Sequence, residues 1–254
     1  MDTRKKIALI TGGSRGLGRN MAEKLAQSGV DVIVTYNSSR DGADAVVAAA
    51  QAAGVQAAAL QLNTGSISSF AAFAQQLKEV LQGTFGTAHF DFLINNAGIG
   101  IHKPFAETTE QDFDELMNIH FKGVYFLTQR LLPLLSDGGR IINVSSGLAR
   151  FSAPGYSAYA SMKGAVEVLT RYLAKELGTR GIVVNTLAPG AIETDFGGGA
   201  VRDNPQYNEY IRNVTALGRA GLPDDIGGVV AFLCSEGARW VNAQRIEASG
   251  GMNI

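Results

Sequence analysis

Cysteine is nearly missing from this chain of 254 residues: Cys234, within VVAFLCS, stands alone. No internal disulfide can form, and a lone thiol in an apolar run reads as a small buried residue rather than a nucleophile. Long hydrophobic runs are missing too. The four apolar residues Ile7 to Ile10 are broken at once by Thr-Gly-Gly, too short for a signal core or a membrane span, and the cytoplasm is the expected compartment. Neither sign of charge dominates: 22 Lys and Arg face 23 Asp and Glu, and RKK at Arg4 to Lys6 is the one basic cluster. That balance excludes a nucleic-acid footprint, which needs clustered cations. The three histidines, His89, His102 and His120, have no metal-ligand spacing, so no metal is expected. Asn-x-Ser/Thr triplets at Asn37, Asn143 and Asn213 carry no meaning without a secretory signal. With 6 prolines and no low-complexity linker, residues 1–254 read as one domain.

What the sequence does have is alternation. Short β-branched runs, KIALIT, GVDVIVTY, GVQAAALQL, FDFLINN, RIINVSS, GIVVNTLA and NAQRIEAS, give 7 strand candidates. Between them, helical periods fall near residues 16–28, 40–53, 66–82, 110–135, 156–179 and 223–235. Strand, crossover, strand repeated in this way predicts an α/β fold, a doubly wound, Rossmann-like parallel sheet with helices on both faces. The least regular stretch, 195–218, holds three consecutive glycines and a proline and is expected to be a substrate-binding loop, with Gly197 to Gly199 as its hinge.

Two local patterns carry chemistry. TGGSRGLG, Thr11 to Gly18, follows the first strand and opens the first helix. In that setting glycines allow a tight turn and bring backbone N–H groups and a helix N-terminus to a pyrophosphate, so the expected ligand is a dinucleotide. YSAYASMKG, Tyr156 to Gly164, places Lys163 four residues after Tyr159, on one helix face; Tyr156 lacks that relation. A phenol with a pKa near 10 is a poor base at neutral pH, and lowering it by about three units takes roughly 4 kcal/mol. One cation about 4 Å away at an effective dielectric near 20 supplies about that much.

The T-G-x-x-x-G-x-G spacing together with Tyr159 and Lys163 resembles the short-chain dehydrogenase/reductase family. NNAG at Asn95 to Gly98, INVSS at the end of the fifth strand, Pro189-Gly190 after the sixth and SGG near the C-terminus follow in the family's order. The resemblance thus spans essentially the whole chain. It implies that Tyr159 is the general acid for carbonyl reduction, or the base for alcohol oxidation. It further implies that Lys163 supports the phenol and grips the nicotinamide ribose, and that Ser146, thirteen residues before Tyr159, bonds the substrate oxygen. The family's fourth catalytic position, usually asparagine, falls here on His120; Asn118 is two residues away, about 200° around a helix. A histidine can donate, accept and titrate near neutrality, so His120 is a candidate member of a proton relay. A packed helix histidine is the competing reading.

Cofactor contacts implied by the resemblance are Thr11, Gly12, Ser14, Arg15, Gly16, Leu17 and Gly18 in the loop, Asn63 and Thr64 at the adenine, and Asn95, Ala97 and Gly98 after the fourth strand. Tyr159, Lys163, Pro189, Gly190, Ile192 and Thr194 would surround the nicotinamide. NAD-specific relatives carry an acidic residue at the end of the second strand. Here that strand ends with Tyr36, followed by Asn37, Ser38, Ser39 and Arg40, with no carboxylate until Asp41. Donors and cations there, with Arg15, suit a 2′-phosphate, so NADP(H) is expected over NAD(H); alternatively Ser38 or Ser39 caps the next helix. The expected activity is NADP(H)-dependent reduction of a small-molecule ketone, resembling 3-oxoacyl-carrier-protein reductases. An NAD-dependent secondary-alcohol or sugar dehydrogenase and a non-catalytic NADP-binding regulator are the alternatives. The resemblance also implies a homotetramer or homodimer formed through the long helices.

Overall fold

The structure, a computed structural model, describes residues 4–254, so the first three residues of the expected domain lie outside it. Seven strands form one sheet: β1 (Ile7–Ile10), β2 (Asp31–Tyr36), β3 (Ala57–Gln61), β4 (Phe90–Asn95), β5 (Leu135–Val144), β6 (Val183–Pro189) and β7 (Arg245–Ala248). Their order is β3-β2-β1-β4-β5-β6-β7, every pairing parallel. β1, β2, β4 and β6 are buried along their whole length, as strands covered on both faces must be.

Helices α1 (Gly16–Gln27), α2 (Arg40–Ala52), α3 (Phe70–Phe85), α4 (Glu110–Met117), α5 (Gly123–Leu131), α6 (Ser157–Glu176), α7 (Ala200–Asp203), α8 (Pro205–Asn213) and α9 (Asp224–Cys234) complete the chain. In α1 the buried Gly18, Met21, Ala22, Leu25 and Ala26 recur at helical spacing and pack with Val230 and Leu233 of α9 in one core layer. On the opposite face Phe70, Phe73, Leu77 and Leu81 of α3 join Leu127 and Leu131 of α5 in the second layer. α4 is started by a capping box in which Thr109 and Asp112 exchange bonds.

Three segments differ from the sequence reading. The single helix expected over 110–135 is interrupted by a π turn, Asn118–Lys122; Gly123 closes it, since a Cβ there would sit 2.2 Å from the Thr64 carbonyl oxygen. β5 begins earlier than RIINVSS, because a bulge lets Leu135 pair with Phe90 before the ladder resumes at Arg140 and Phe92. The stretch 195–218 is largely helical. Asn204 accepts a bond from the Tyr207 N–H at 3.0 Å and Pro205 fills the first helical position, which starts α8. Gly197 to Gly199, all at positive φ (61, 74 and 77°), make the turn that precedes α7.

Because the chain leaves β3 to re-enter the sheet at β4, beside β1, the order reverses between β1 and β4. Ligands of open α/β sheets bind at such a switch point, beyond the carboxyl ends of the strands. Thr11, Asn96, Ser146 and Gly190 follow β1, β4, β5 and β6 at that edge.

Candidate active site

A cleft of about 420 Å³ opens there. Its floor at one end is the glycine loop. A Cβ on Gly18 would lie 2.3 Å from the Gly12 carbonyl oxygen, and one on Gly12, at φ +64°, would lie 2.9 Å from Ala97 Cα. Glycine is therefore required at both places by close approach of backbone. The loop is tied to the sheet by Asn96, whose amide donates to the carbonyls of Thr11 and Gly12 at 2.9 and 3.2 Å. Thr11 faces away from the cleft: its hydroxyl accepts the backbone N–H groups of Asn96 and Ala97, both at 3.0 Å.

The i, i+4 pair on α6 lies on the buried face. Tyr159, Met162, Lys163, Val166 and Thr170 are all inside, so the two are not a solvated surface pair. Lys163, however, does not point its ammonium at the phenol oxygen. Its Nζ donates to the Val144 carbonyl at 2.7 Å and stands 5.6 Å from the centroid of the Tyr159 ring. Burial pushes Lys163 down to about 7 and pushes the Tyr159 phenol up, the Ser146 hydroxyl partly opposing the latter. In this structure desolvation outweighs the charge of Lys163 at the phenol and drives both groups toward neutrality. Ser146 accepts the Leu148 N–H at 3.2 Å, capping the turn after β5, while its hydroxyl is within bonding reach of Tyr159.

His120 is buried, and its ring meets the Tyr159 ring edge-on at 5.0 Å between centroids. Its Nε2 lies 2.8 Å from the Ile99 carbonyl and 3.2 Å from the Ile99 N–H, and Nδ1 has no partner among the described residues. Burial, then the nearby Lys163, holds its pKa well below the ordinary value. The imidazole is thus buried and held toward its neutral form, packed against Tyr159.

The other expected contacts divide. Gly12, Ser14, Arg15, Gly16, Leu17, Gly18, Asn37, Ser38, Ser39, Asn63, Thr64, Ala97, Gly98, Pro189, Gly190, Ile192 and Thr194 line the cleft with the catalytic candidates. Thr194 also accepts the Phe196 N–H at 3.2 Å, and Asn63 the Gly65 N–H at 2.9 Å, so both cap local turns. Tyr36, Arg40 and Asn95 are off the wall. Tyr36 is in the core beneath β2, and Asn95 donates to Thr128 and Asn143 inside the sheet–helix layer at 3.1 and 2.8 Å. Arg40 pairs with Asp44, one helical turn on, at 3.5 Å. The physical reason is local: a strand's side chains alternate faces, and a cation at a helix start finds an acidic partner at i+4 before it finds a ligand.

A model of the family described as Enoyl-(Acyl carrier protein) reductase matches residues 12–253. An oxidoreductase of Methylorubrum extorquens is 40% identical over 247 residues, 97% of each chain. The chain belongs to the short-chain dehydrogenase/reductase family. Among other short-chain reductases, the hydroxynaphthalene reductase-like protein Arp2 of Metarhizium majus is 36% identical over 257 residues, covering 97% of this chain and 94% of its own. The solved angucycline C-6 ketoreductase LanV with bound NADP superposes with a TM-score of 0.93 at 38% identity, over 98% of this chain and 95% of that one.

Whether a short-chain reductase's dinucleotide suits this cleft can be tested on the residues present. The N-terminus of α1 has no side-chain cap and no acidic residue in its first turn, so its N–H groups are free for phosphate oxygens. Arg15 is exposed on the cleft rim, with Asn37, Ser38 and Ser39 opposite and no carboxylate among them. Gly42 lets α2 start close to the loop, a Cβ there falling 2.7 Å from Ser39 Oγ and 2.8 Å from the Ser14 carbonyl. The residues fit a 2′-phosphorylated dinucleotide. Sequence reading missed Gly42, and at the opposite end of the cleft it missed Phe151, Met252 and Asn253, which meet Phe196, Tyr207 and Ile211 of the expected loop 195–218. These come from three distant segments and share no local pattern.

Proposed function

We propose that the protein is an NADP(H)-dependent ketoreductase, adding hydride to a small-molecule ketone and giving a secondary alcohol. The observation that carries this reading is the buried Tyr159, beside Ser146 and Lys163, in one cleft with the glycine loop. When bound, the reduced nicotinamide supplies the hydride. Tyr159 supplies the proton: a phenol is protonated at neutral pH, as a general acid must be. Ser146 would orient the carbonyl oxygen, and Lys163, whose Nζ donates to the Val144 carbonyl, would hold a ribose hydroxyl. Arg15, Asn37, Ser38 and Ser39 would hold the 2′-phosphate. LanV, with its bound NADP, supports the cofactor, and the names of LanV and of the hydroxynaphthalene reductase-like protein support keto-reduction over the enoyl reduction in the family model's description.

The test is NADPH oxidation with a panel of ketones, with NADH in parallel, on wild type and Tyr159→Phe. Loss of at least 10² to 10⁴ in rate on removing the acid is expected, while the variant keeps NADPH binding. Equal turnover by Tyr159→Phe overturns the assignment.

Within the same reading, residues 195–218 close over the substrate, turning at Gly197 to Gly199. The enzyme works in the cytoplasm, where NADPH is supplied, and no described helix is long and apolar enough to cross a membrane. It forms a homodimer or homotetramer through the exposed faces of α5 and α6, where Tyr125, Phe126, Val168 and Tyr172 present apolar surface. Light scattering on the purified protein tests that assembly.

A further inference from the structure

The tyrosine of YSAYASMKG that shares no face with Lys163 is left without a role by the chemistry above. Tyr156 sits at the entry to α6, lines the cleft, and has its ring 4.8 Å from that of His102. Across the cleft, α8 brings Tyr207, whose ring lies 6.2 Å from Tyr210 at an interplanar angle of 18°, close to parallel. Tyr156, Tyr159 and Tyr207 all line this one cleft, Tyr156 three residues before Tyr159 at the start of α6. Three phenols thus share the cleft with Ser146.

Their surroundings are aromatic and aliphatic: Phe151, Phe196, Ile211 and Met252. Phe196 packs on Tyr159 with 5.8 Å between ring centroids. Cations on the cleft wall are limited, among the described residues, to Arg15 at the nucleotide end and the buried Lys163. Those around the mouth are engaged. Arg150 is held by both oxygens of Glu247 at 2.8 and 2.7 Å, Arg202 by Asp195 and Asp203, and Lys103 by Asp112 at 2.6 Å. Asp195, on the wall, is itself neutralised by Arg202. Such a mouth offers nothing to the phosphates of a carrier-linked or coenzyme-linked thioester, whereas flat rings stack on aromatic faces and a neutral oxygen finds hydroxyl partners.

We propose that Tyr156 and Tyr207 are a recognition pair for a second oxygen on the substrate. That substrate is an uncharged fused-ring ketone bearing a hydroxyl or second carbonyl near the carbonyl that is reduced. The inference rests on the ketoreductase reading. It narrows the 3-oxoacyl-like expectation to a planar ring system and makes two residues responsible for choosing among such rings. Burial, and then the facing Tyr156, push Tyr207 up to about 12, so it remains a neutral donor across the working range.

The experiment is steady-state kinetics with NADPH on wild type, Tyr156→Phe and Tyr207→Phe. The ketones are 1-tetralone, its ring-monohydroxylated isomers, and an acetoacetyl thioester of N-acetylcysteamine. The readout is the ratio of kcat/KM for each hydroxylated isomer to that for 1-tetralone. In wild type at least one isomer should exceed 1-tetralone by about 5- to 10-fold, the size expected for one neutral hydrogen bond, with the thioester slowest. Either Phe variant should bring that ratio close to one, a change that loss of packing alone would not produce. A preference that survives in both variants, no preference for any hydroxylated isomer, or a thioester that outruns every tetralone overturns the proposal. If wild type oxidises NADPH with other ketones of the wider panel but with none of these, the proposal is overturned and the ketoreductase reading stands; if it binds NADPH yet oxidises it with no ketone at all, the ketoreductase reading itself fails.

Discussion

Gly98 and His120 are a matched pair: a Cβ on Gly98 would lie 2.6 Å from Cε1 of the His120 ring and 3.2 Å from its Nδ1. The ring cannot give way cheaply, since it is buried, held at Ile99 and wedged against Tyr159. The NNAG glycine is therefore small because of a side chain 22 positions away in the chain. Gly98→Ala is expected to destabilise the wild-type protein by about 1 to 3 kcal/mol, the usual size of overpacking. In a His120→Ala background the same change should cost clearly less. Denaturant unfolding of the four proteins of the cycle measures the coupling; purely additive effects would show that the two positions are independent.

Lys163 is set against stability. Its folded pKa is about 7 against 10.5 ordinarily, because burial penalises the charged form. Between those values the unfolded chain binds more protons than the folded one, so stability rises with pH from about 7 to about 10.5. Lys163→Met removes the buried charge, worth on the order of 5 kcal/mol at pH 6, and leaves the Val144 carbonyl unpaired at a cost of about 1 to 3 kcal/mol. The variant should be inactive, more heat-stable than wild type at pH 6, and should lose that advantage as pH approaches 10. Thermal unfolding across this range checks it; a gap that does not shrink contradicts the assignment of the lysine as a buried, depressed base.

Cofactor choice should rest on Arg15 more than on Arg40. Arg15 stands on the cleft wall with no side-chain partner among the described residues, while Arg40 is paired with Asp44 and lies off it. Arg15→Ala is expected to weaken NADPH by about 10- to 100-fold, the range of a charge-assisted contact, and to leave NADH nearly unchanged. Arg40→Ala should change either dinucleotide by less than about threefold. Fluorescence titrations with both nucleotides decide it, and a larger loss in Arg40→Ala would reverse the roles.

A charged network ties Ser146 to the C-terminal wall of the cleft. Arg245 donates to Glu167 at 2.7 Å, to Glu247 at 2.6 Å and to the Ser146 carbonyl at 3.2 Å, while Arg150 reaches from Glu247 to the Met252 carbonyl at 2.8 Å. Arg150 and Arg245 hold Glu247 at about 2, below its ordinary 4.5. Its stabilisation is present above pH 4.5 and lost as pH falls toward 2. Glu247→Gln should therefore be less stable than wild type at neutral pH and converge with it in acid. Arg245→Met should lower kcat by up to about 10²-fold through displacement of Ser146, with NADPH affinity retained. Acid titration of stability and single-turnover rates test the two halves; an unchanged kcat in Arg245→Met would dismiss the positioning role.

Local periodicity was legible along the chain. Alternating runs of period 2 and 3.6 set seven parallel strands and their crossovers. The glycines after β1 marked the loop, and the four-residue interval put Tyr159 and Lys163 on one buried face. The protonation states and partners of those groups came instead from the packing of elements far apart in sequence. The amine of Lys163 is drawn to a carbonyl of β5, and desolvation in the packed interior moves the tyrosine and the lysine toward neutrality. The same burial keeps His120 from titrating where a free imidazole would. Only the fold pairs Arg40 with Asp44 on α2 and leaves Arg15 on the cleft, and only the fold brings Tyr156, Tyr207 and Met252 from distant segments onto one wall. Spacing along a helix is fixed by geometry within a turn or two, but burial and the identity of a charge's neighbour depend on every element folded against it.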